Sequence, residues 1–242
     1  YNHMKNLLKV LFLTIGITCI TTPIFSQPLN GTYTIGSGGN YTSVSAAMSA
    51  LLSNGVSGNV IFTINNGSYT GVTIDFSSGI TGQGTYDTIT FTSTSNNPSN
   101  VTITSSGTSV LVNNAKNLVI KNLSIGSTTG TKGVEFTGTC DNVEIKNCNI
   151  KANVNGSNSN EAGVFLNSSS SVANNLRILN NNIDGGYYGI YLFGYSYNNY
   201  NTNFLINGNT LSNAYQYGVY LYYISLNSFS NNVITSRSSN YS

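Results

Sequence analysis

Charge and histidine are scarce in this chain. Asp, Glu, Lys and Arg make up 7% of the 242 residues, and the one histidine is His3. Long apolar runs are scarce too. The longest, Leu7 to Ile20, follows Lys5, contains Lys9 and leads through small and polar residues to Ser26. A basic start, a short apolar core and a small exit residue predict a secretory signal peptide over residues 1–26, with residues 1–3 read as upstream or non-native. Thr14, Thr18, Thr21, Thr22 and Pro23 break the run. It falls short of the roughly 18 apolar residues that a membrane span needs. The mature chain, 27–242, is therefore expected to be secreted or held at the cell surface, with no transmembrane segment. Losing Lys5 and Lys9 leaves seven basic against seven acidic residues. A neutral chain has no field to recruit nucleic acid or an anionic membrane. Without a His/Cys cluster it offers no zinc site, and Gly36 to Gly39 lacks the Lys-Ser/Thr ending of a phosphate loop. Neither a metal nor a cofactor is expected.

What is present is a repeat. Asn117-Leu-Val-Ile-Lys-Asn-Leu-Ser-Ile125 returns as Asn142 to Ile150 and Asn175 to Ile183, and more loosely as Asn203 to Leu211 and Leu226 to Ile234. Between the copies stands a second word: Gly133-Val-Glu-Phe136, Gly163-Val-Phe-Leu166, Gly189-Ile-Tyr-Leu192 and Gly218-Val-Tyr-Leu221. Recurrence every 23 to 33 residues marks a solenoid. The apolar spacing of two belongs to strands, not helices. Stacking the copies gives two inward columns, Ile120-Ile145-Ile178-Ile206-Phe229 and Ile125-Ile150-Ile183-Leu211-Ile234. Asn122, Asn147, Asn180 and Asn231 share one position, which Gly208 takes in the fourth copy. Asn and Gly tolerate the left-handed conformation, so a bend between two strands is expected there, with stacked amides free to bond along the column.

These words resemble the right-handed parallel β-helix repeat proteins of the pectate-lyase-like superfamily, over about residues 40 to 242. The resemblance implies an all-β, single-stranded parallel β-helix of about seven rungs. It implies no one activity, since that superfamily holds lyases, hydrolases, adhesins and non-catalytic modules. One amphipathic helix, Ser43 to Ser53 with Thr42 as N-cap, is expected to lie over the first rung as a lid (helix cap 42–54). No second lid precedes Ser242, so the sequence reads as a monomer or as part of a longer chain.

Carboxylates are too sparse for evident catalysis. The seven acidic residues of the mature chain are scattered, and hydrolases of this fold cluster theirs. Glu144 and Arg177 fall in one outward column, as a weak acid/base candidate or a surface ion pair. Lys121 and Lys146 share the neighbouring column. The stronger signal is aromatic: eleven of the 17 tyrosines lie between Tyr187 and Tyr223. The register predicts outward columns Leu111-Glu135-Phe165-Tyr191-Tyr220 and Asn113-Thr137-Asn167-Phe193-Tyr222. Phe165, Tyr191, Phe193, Tyr220 and Tyr222 would then pave one sheet as an exposed, ligand-binding face for a polysaccharide or cell-surface glycan. Stacked rings that merely stabilise the sheet are the structural alternative. Cys140 and Cys148 flank one strand and a bend, which sets their Cα atoms roughly 15–22 Å apart. A disulfide needs about 7 Å or less, so two free thiols are expected.

Overall fold

The computed structural model describes residues 27–77, 79–85, 87–126, 129–167, 172–194 and 201–237. The expected signal peptide lies outside the described residues. The chain enters through β1 (Leu29–Ile35) and α1 (Val44–Asn54). Six complete coils of three strands follow. They are β2 (Val56–Ile64), β3 (Gly67–Thr70) and β4 (Ile74–Asp75); β5 (Ile89–Ser93), β6 (Val101–Thr104) and β7 (Thr108–Asn113); β8 (Lys116–Lys121), β9 (Ser124–Gly126) and β10 (Lys132–Thr137); β11 (Cys140–Lys146), β12 (Asn149–Lys151) and β13 (Ala162–Asn167); β14 (Ala173–Leu179), β15 (Asn182–Asp184) and β16 (Tyr188–Phe193); and β17 (Asn201–Asn207), β18 (Thr210–Ala214) and β19 (Tyr217–Tyr222). A partial seventh coil holds β20 (Ile224–Ser230) and β21 (Val233–Ser236). Corresponding strands pair in parallel into three sheets of eight, seven and six strands, here called A, B and C. The protein is thus an all-β parallel β-helix, with one α-helix among the described residues. The first word of the repeat holds the sheet A and sheet B strands, and the second word is the sheet C strand. Val110 to Val112, in β7, therefore closes the second coil.

The predicted inward columns are observed in register, but Phe229 and Ile234, at their last level, are 43% and 47% exposed. Ile120, Ile145, Ile178 and Ile206 stack in sheet A, and Ile125, Ile150, Ile183 and Leu211 in sheet B, all fully buried. Each such side chain is worth about 1.5–3 kcal/mol when removed from water. The glycine of the second word has a packing cause. A Cβ on Gly133 would stand 2.3 Å from Ile150 Cγ2, and one on Gly163 2.3 Å from Ile183 Cγ2. The sheet B isoleucine fills the space a side chain would need.

The bends are asparagine bends. Asn122, Asn147, Asn180 and Asn231 have φ of 51 to 55°, and Gly208 has 71°. A buried amide ladder runs one residue further on, through Cys148, Asn181, Asn209 and Asn232. Asn209 Oδ1 accepts from Asn181 N at 2.9 Å, and Asn209 Nδ2 donates to Ile178 O at 2.8 Å. The predicted column does bond at Asn122, whose Nδ2 reaches Asn96 Oδ1 at 3.2 Å. Sequence alone had not distinguished the turning residue from the bonding one beside it.

The helix closes the N-terminal end. Val44, Ala47, Met48 and Leu51 are buried in the same core as the coils. Its N-cap is Ser43, not Thr42: the Ser43 hydroxyl accepts from Ala46 N at 3.1 Å. Thr42 stands one residue too early to reach that group.

Candidate ligand-binding surfaces

Sheet C turns its outward side chains into columns spaced by the strand repeat. The register places Phe165 beside Tyr191 and Tyr191 beside Tyr220, and likewise Asn167, Phe193 and Tyr222 in line. The rings lie nearly parallel. Phe165 and Tyr191 stack at 5.0 Å, Tyr191 and Tyr220 at 5.2 Å, and Phe193 and Tyr222 at 4.9 Å. A third column, Tyr188 over Tyr217 at 5.6 Å, was not foreseen. Both precede the Gly of the second word, and strict alternation had assigned no outward column there.

Two corrections follow. Phe165 is not part of an exposed face: it is 7% exposed. Lys132 Nζ sits 4.5 Å from the centre of its ring while Tyr191 stacks on it, so Phe165 anchors the stack from beneath. Lys132 is itself held by Glu135 Oε1 at 2.8 Å, and Thr108 Oγ1 donates to the other carboxylate oxygen at 2.6 Å. The rings also do not lie flat on the sheet. Nearly parallel rings with centroids about 5 Å apart along the stack mean that Tyr191 is covered by a neighbour on both faces, while Tyr217, Tyr220 and Tyr222, on the edge strand β19, are covered by a stacked neighbour on one face. Along its length the strip offers ring edges and phenol hydroxyls, and at the β19 edge also one ring face per column. Tyr191, Phe193 and Tyr220 are half-buried, and Tyr217 and Tyr222 reach 42% and 43% exposure. Burial, then the neighbouring phenols, raises the pKa of Tyr188 and Tyr191, so these hydroxyls stay protonated, able to donate, beyond the usual range for tyrosine.

A second surface lies over sheet A, a groove of about 700 Å³ that includes Asn117, Asn142, Asn175, Asn203, Glu144 and Arg177 in its lining. The four asparagines share φ of 51 to 64°, so each strand kinks at the same level and projects a carboxamide. These amides bond coil to coil: Asn142 Nδ2 donates to Asn117 Oδ1 at 3.0 Å, and Asn203 Nδ2 to Asn175 Oδ1. They are the first residues of the repeated word, and recurrence of Asn at a strand position was the sequence signal for this row. Glu144 and Arg177 are adjacent as the register required, Arg177 Nε lying 3.0 Å from Glu144 Oε2. Lys146 bonds the other oxygen of the same carboxylate. Both oxygens of this carboxylate are therefore engaged by cations. Lys146 thus belongs to an ion-pair cluster, separate in role from Lys121 below it.

Cys140 and Cys148 are free and buried. Burial raises the Cys140 thiol to about 11 and the Cys148 thiol to about 12. Both are inert structural thiols. Among the described residues no group of three or more His, Cys, Asp or Glu is placed to hold a metal ion, and no helix is long and apolar enough to cross a membrane.

No protein-family model matches the chain, and no curated protein matches it. Among solved structures, the pectin methylesterase from Aspergillus niger in deglycosylated form is similar at 14% identity and a TM-score of 0.34, over 86% of this chain and 88% of that one. Its penultimately deglycosylated form is similar at 12% identity and a TM-score of 0.34, over 88% of each.

Proposed function

We propose that the chain is an exported β-helix module that holds a polysaccharide or cell-surface glycan on the aromatic strip of sheet C, without catalysis of its own. The supporting observation is the strip itself: three ring columns on the last coils, preorganised by mutual stacking and by the Lys132–Phe165 anchor, with hydroxyls at the coil spacing. Rigid tyrosines lose little entropy on binding and present an apolar edge beside a hydrogen-bonding tip. Sugar hydroxyls match the tips, and sugar C–H groups match the edges. Retention on insoluble polysaccharides tests this. Tyr217→Ala with Tyr222→Ala should reduce retention at least tenfold with the circular dichroism spectrum unchanged, while Ile150→Val, fully buried in sheet B and away from the strip, should leave retention within twofold. Equal retention by the double variant removes the reading.

The alternative is a polysaccharide lyase or glycoside hydrolase working in the sheet A groove through Glu144 and Arg177. Chain cleavage that Glu144→Gln abolishes would replace the binding reading with that one. A stalk or adhesin role would leave every glycan unbound and uncleaved.

A further inference from the structure

The aromatic strip lies in a part of the chain that carries no charge. From Gly185 to Ser236 there is no Asp, Glu, Lys, Arg or His. That stretch supplies β16 and β19, and with them Tyr188, Tyr191, Phe193, Tyr217, Tyr220 and Tyr222.

Charged residues flanking the strip are held by partners. At its early end Lys132 and Glu135 neutralise each other at 2.8 Å, with side chains only 16% and 18% exposed. Glu161, buried, accepts from Asn153 Nδ2 at 2.9 Å and Asn158 N at 3.3 Å. Asp184 Oδ1 accepts from Ser212 Oγ and Asn213 Nδ2. Arg237 lies over the Tyr215 ring and donates to Asn213 O and Gly156 O, and its Nη2 is buried. Lys121, Lys146 and Arg177 stand on sheet A, a different face. What continues the ring columns toward the early coils is polar but uncharged: Asn167 pairs with Phe193, and Thr137 with Asn113.

Such a surface sorts ligands by charge. A carboxylate or sulfate laid against it loses water and gains no cation, which is costly. A sugar hydroxyl meets neutral amides and phenol O–H groups, and those of Tyr188 and Tyr191 hold their protons beyond the usual range. Exchanging water for these partners costs an uncharged group little. Resting on the glycan reading above, we propose that the strip takes uncharged polysaccharide, a polymer of neutral hexoses or N-acetylhexosamines, and rejects chains that carry uronate or sulfate. Hydroxyl and C–H contacts then hold the ligand, and salt does not screen them.

The readout is tyrosine-dependent retention, the part lost in Tyr217→Ala with Tyr222→Ala. Insoluble glucan, mannan and chitin are the uncharged probes, and resin-coupled polygalacturonate and alginate the acidic ones. At least one uncharged probe should be retained tenfold or more above both acidic ones. Raising salt to about 1 M, where charges are screened beyond about 3 Å, should change that retention less than twofold. Asn167→Lys, which sets a cation beside Phe193, should add several-fold retention on the acidic probes, and the same salt should remove the gain. Three results overturn the proposal while leaving the glycan reading in place: tyrosine-dependent retention of an acidic probe equal to that of every uncharged one, loss of uncharged retention in salt, or no acidic gain from Asn167→Lys. Absence of tyrosine-dependent retention on every probe removes both.

Discussion

Rings stack along the axis at both ends of this solenoid, but inside it at one end and outside at the other. In the early coils Phe62 and Phe91 stack at 4.7 Å within the core, with Phe76 edge-on to Phe91 at 6.0 Å, all fully buried. In the late coils Tyr191 and Tyr220 stack at 5.2 Å on the outer surface, while the interior holds Ile190, Leu192, Ile206 and the asparagine ladder. The spacing is similar because the strand repeat sets it. Stacking by itself therefore does not mark a binding site. What differs is the side of the strand: past the glycine of the second word, alternation decides whether a ring meets core or water, while Tyr188 and Tyr217, before it, face outward against that alternation. The inner rings work as packing, and only the outer strip is free to meet a ligand.

That comparison is open to direct tests. The largest effect should come from Phe91→Ala, which empties a fully buried ring site and should cost about 3–5 kcal/mol. Tyr191→Ala, outside, should cost on the order of 1 kcal/mol or less. Denaturant unfolding of both variants checks this, and equal losses would mean that the outer strip is structural. Next in size is the late interior. Asn209→Leu strands buried backbone and amide partners above and below it and should cost about 1–3 kcal/mol. Asn180→Gly, at the left-handed bend beside the ladder, should cost at most a few tenths, since glycine adopts that conformation freely and already does so at Gly208. A larger loss at Asn180 than at Asn209 would put the bonding role back on the bend column.

A further effect is alkaline. Both thiols are neutral in the fold, with pKa values raised to about 11 and about 12 from an ordinary value near 9. Above pH 9 the unfolded chain releases these protons and the folded chain keeps them, so stability falls as pH rises. By pH 10 the loss should be roughly 1.4 kcal/mol per thiol. Cys148→Ala should flatten that slope, and an unchanged slope would assign the alkaline loss to the tyrosines.

The repeat made much of this legible in advance. Ile120 over Ile145, Tyr191 over Tyr220 and Glu144 beside Arg177 all follow from aligning one word with the next, because a strand's period of two leaves little freedom once copies stack. Asparagine at a fixed place, replaced once by glycine, identified the bends through backbone sterics alone. Neighbouring coils had to be present to decide the rest. Whether Phe165 was exposed depended on Lys132, a coil away in the stack. Which asparagine bonded depended on the carbonyls of the preceding coil. That Tyr191 offers its edge instead of a face depended on rings of the coils on either side lying about 5 Å from it, centroid to centroid. Local pattern fixes direction, inward or outward. Exposure and hydrogen bonding are properties of what arrives from elsewhere in the chain, and only the assembled coils supply them.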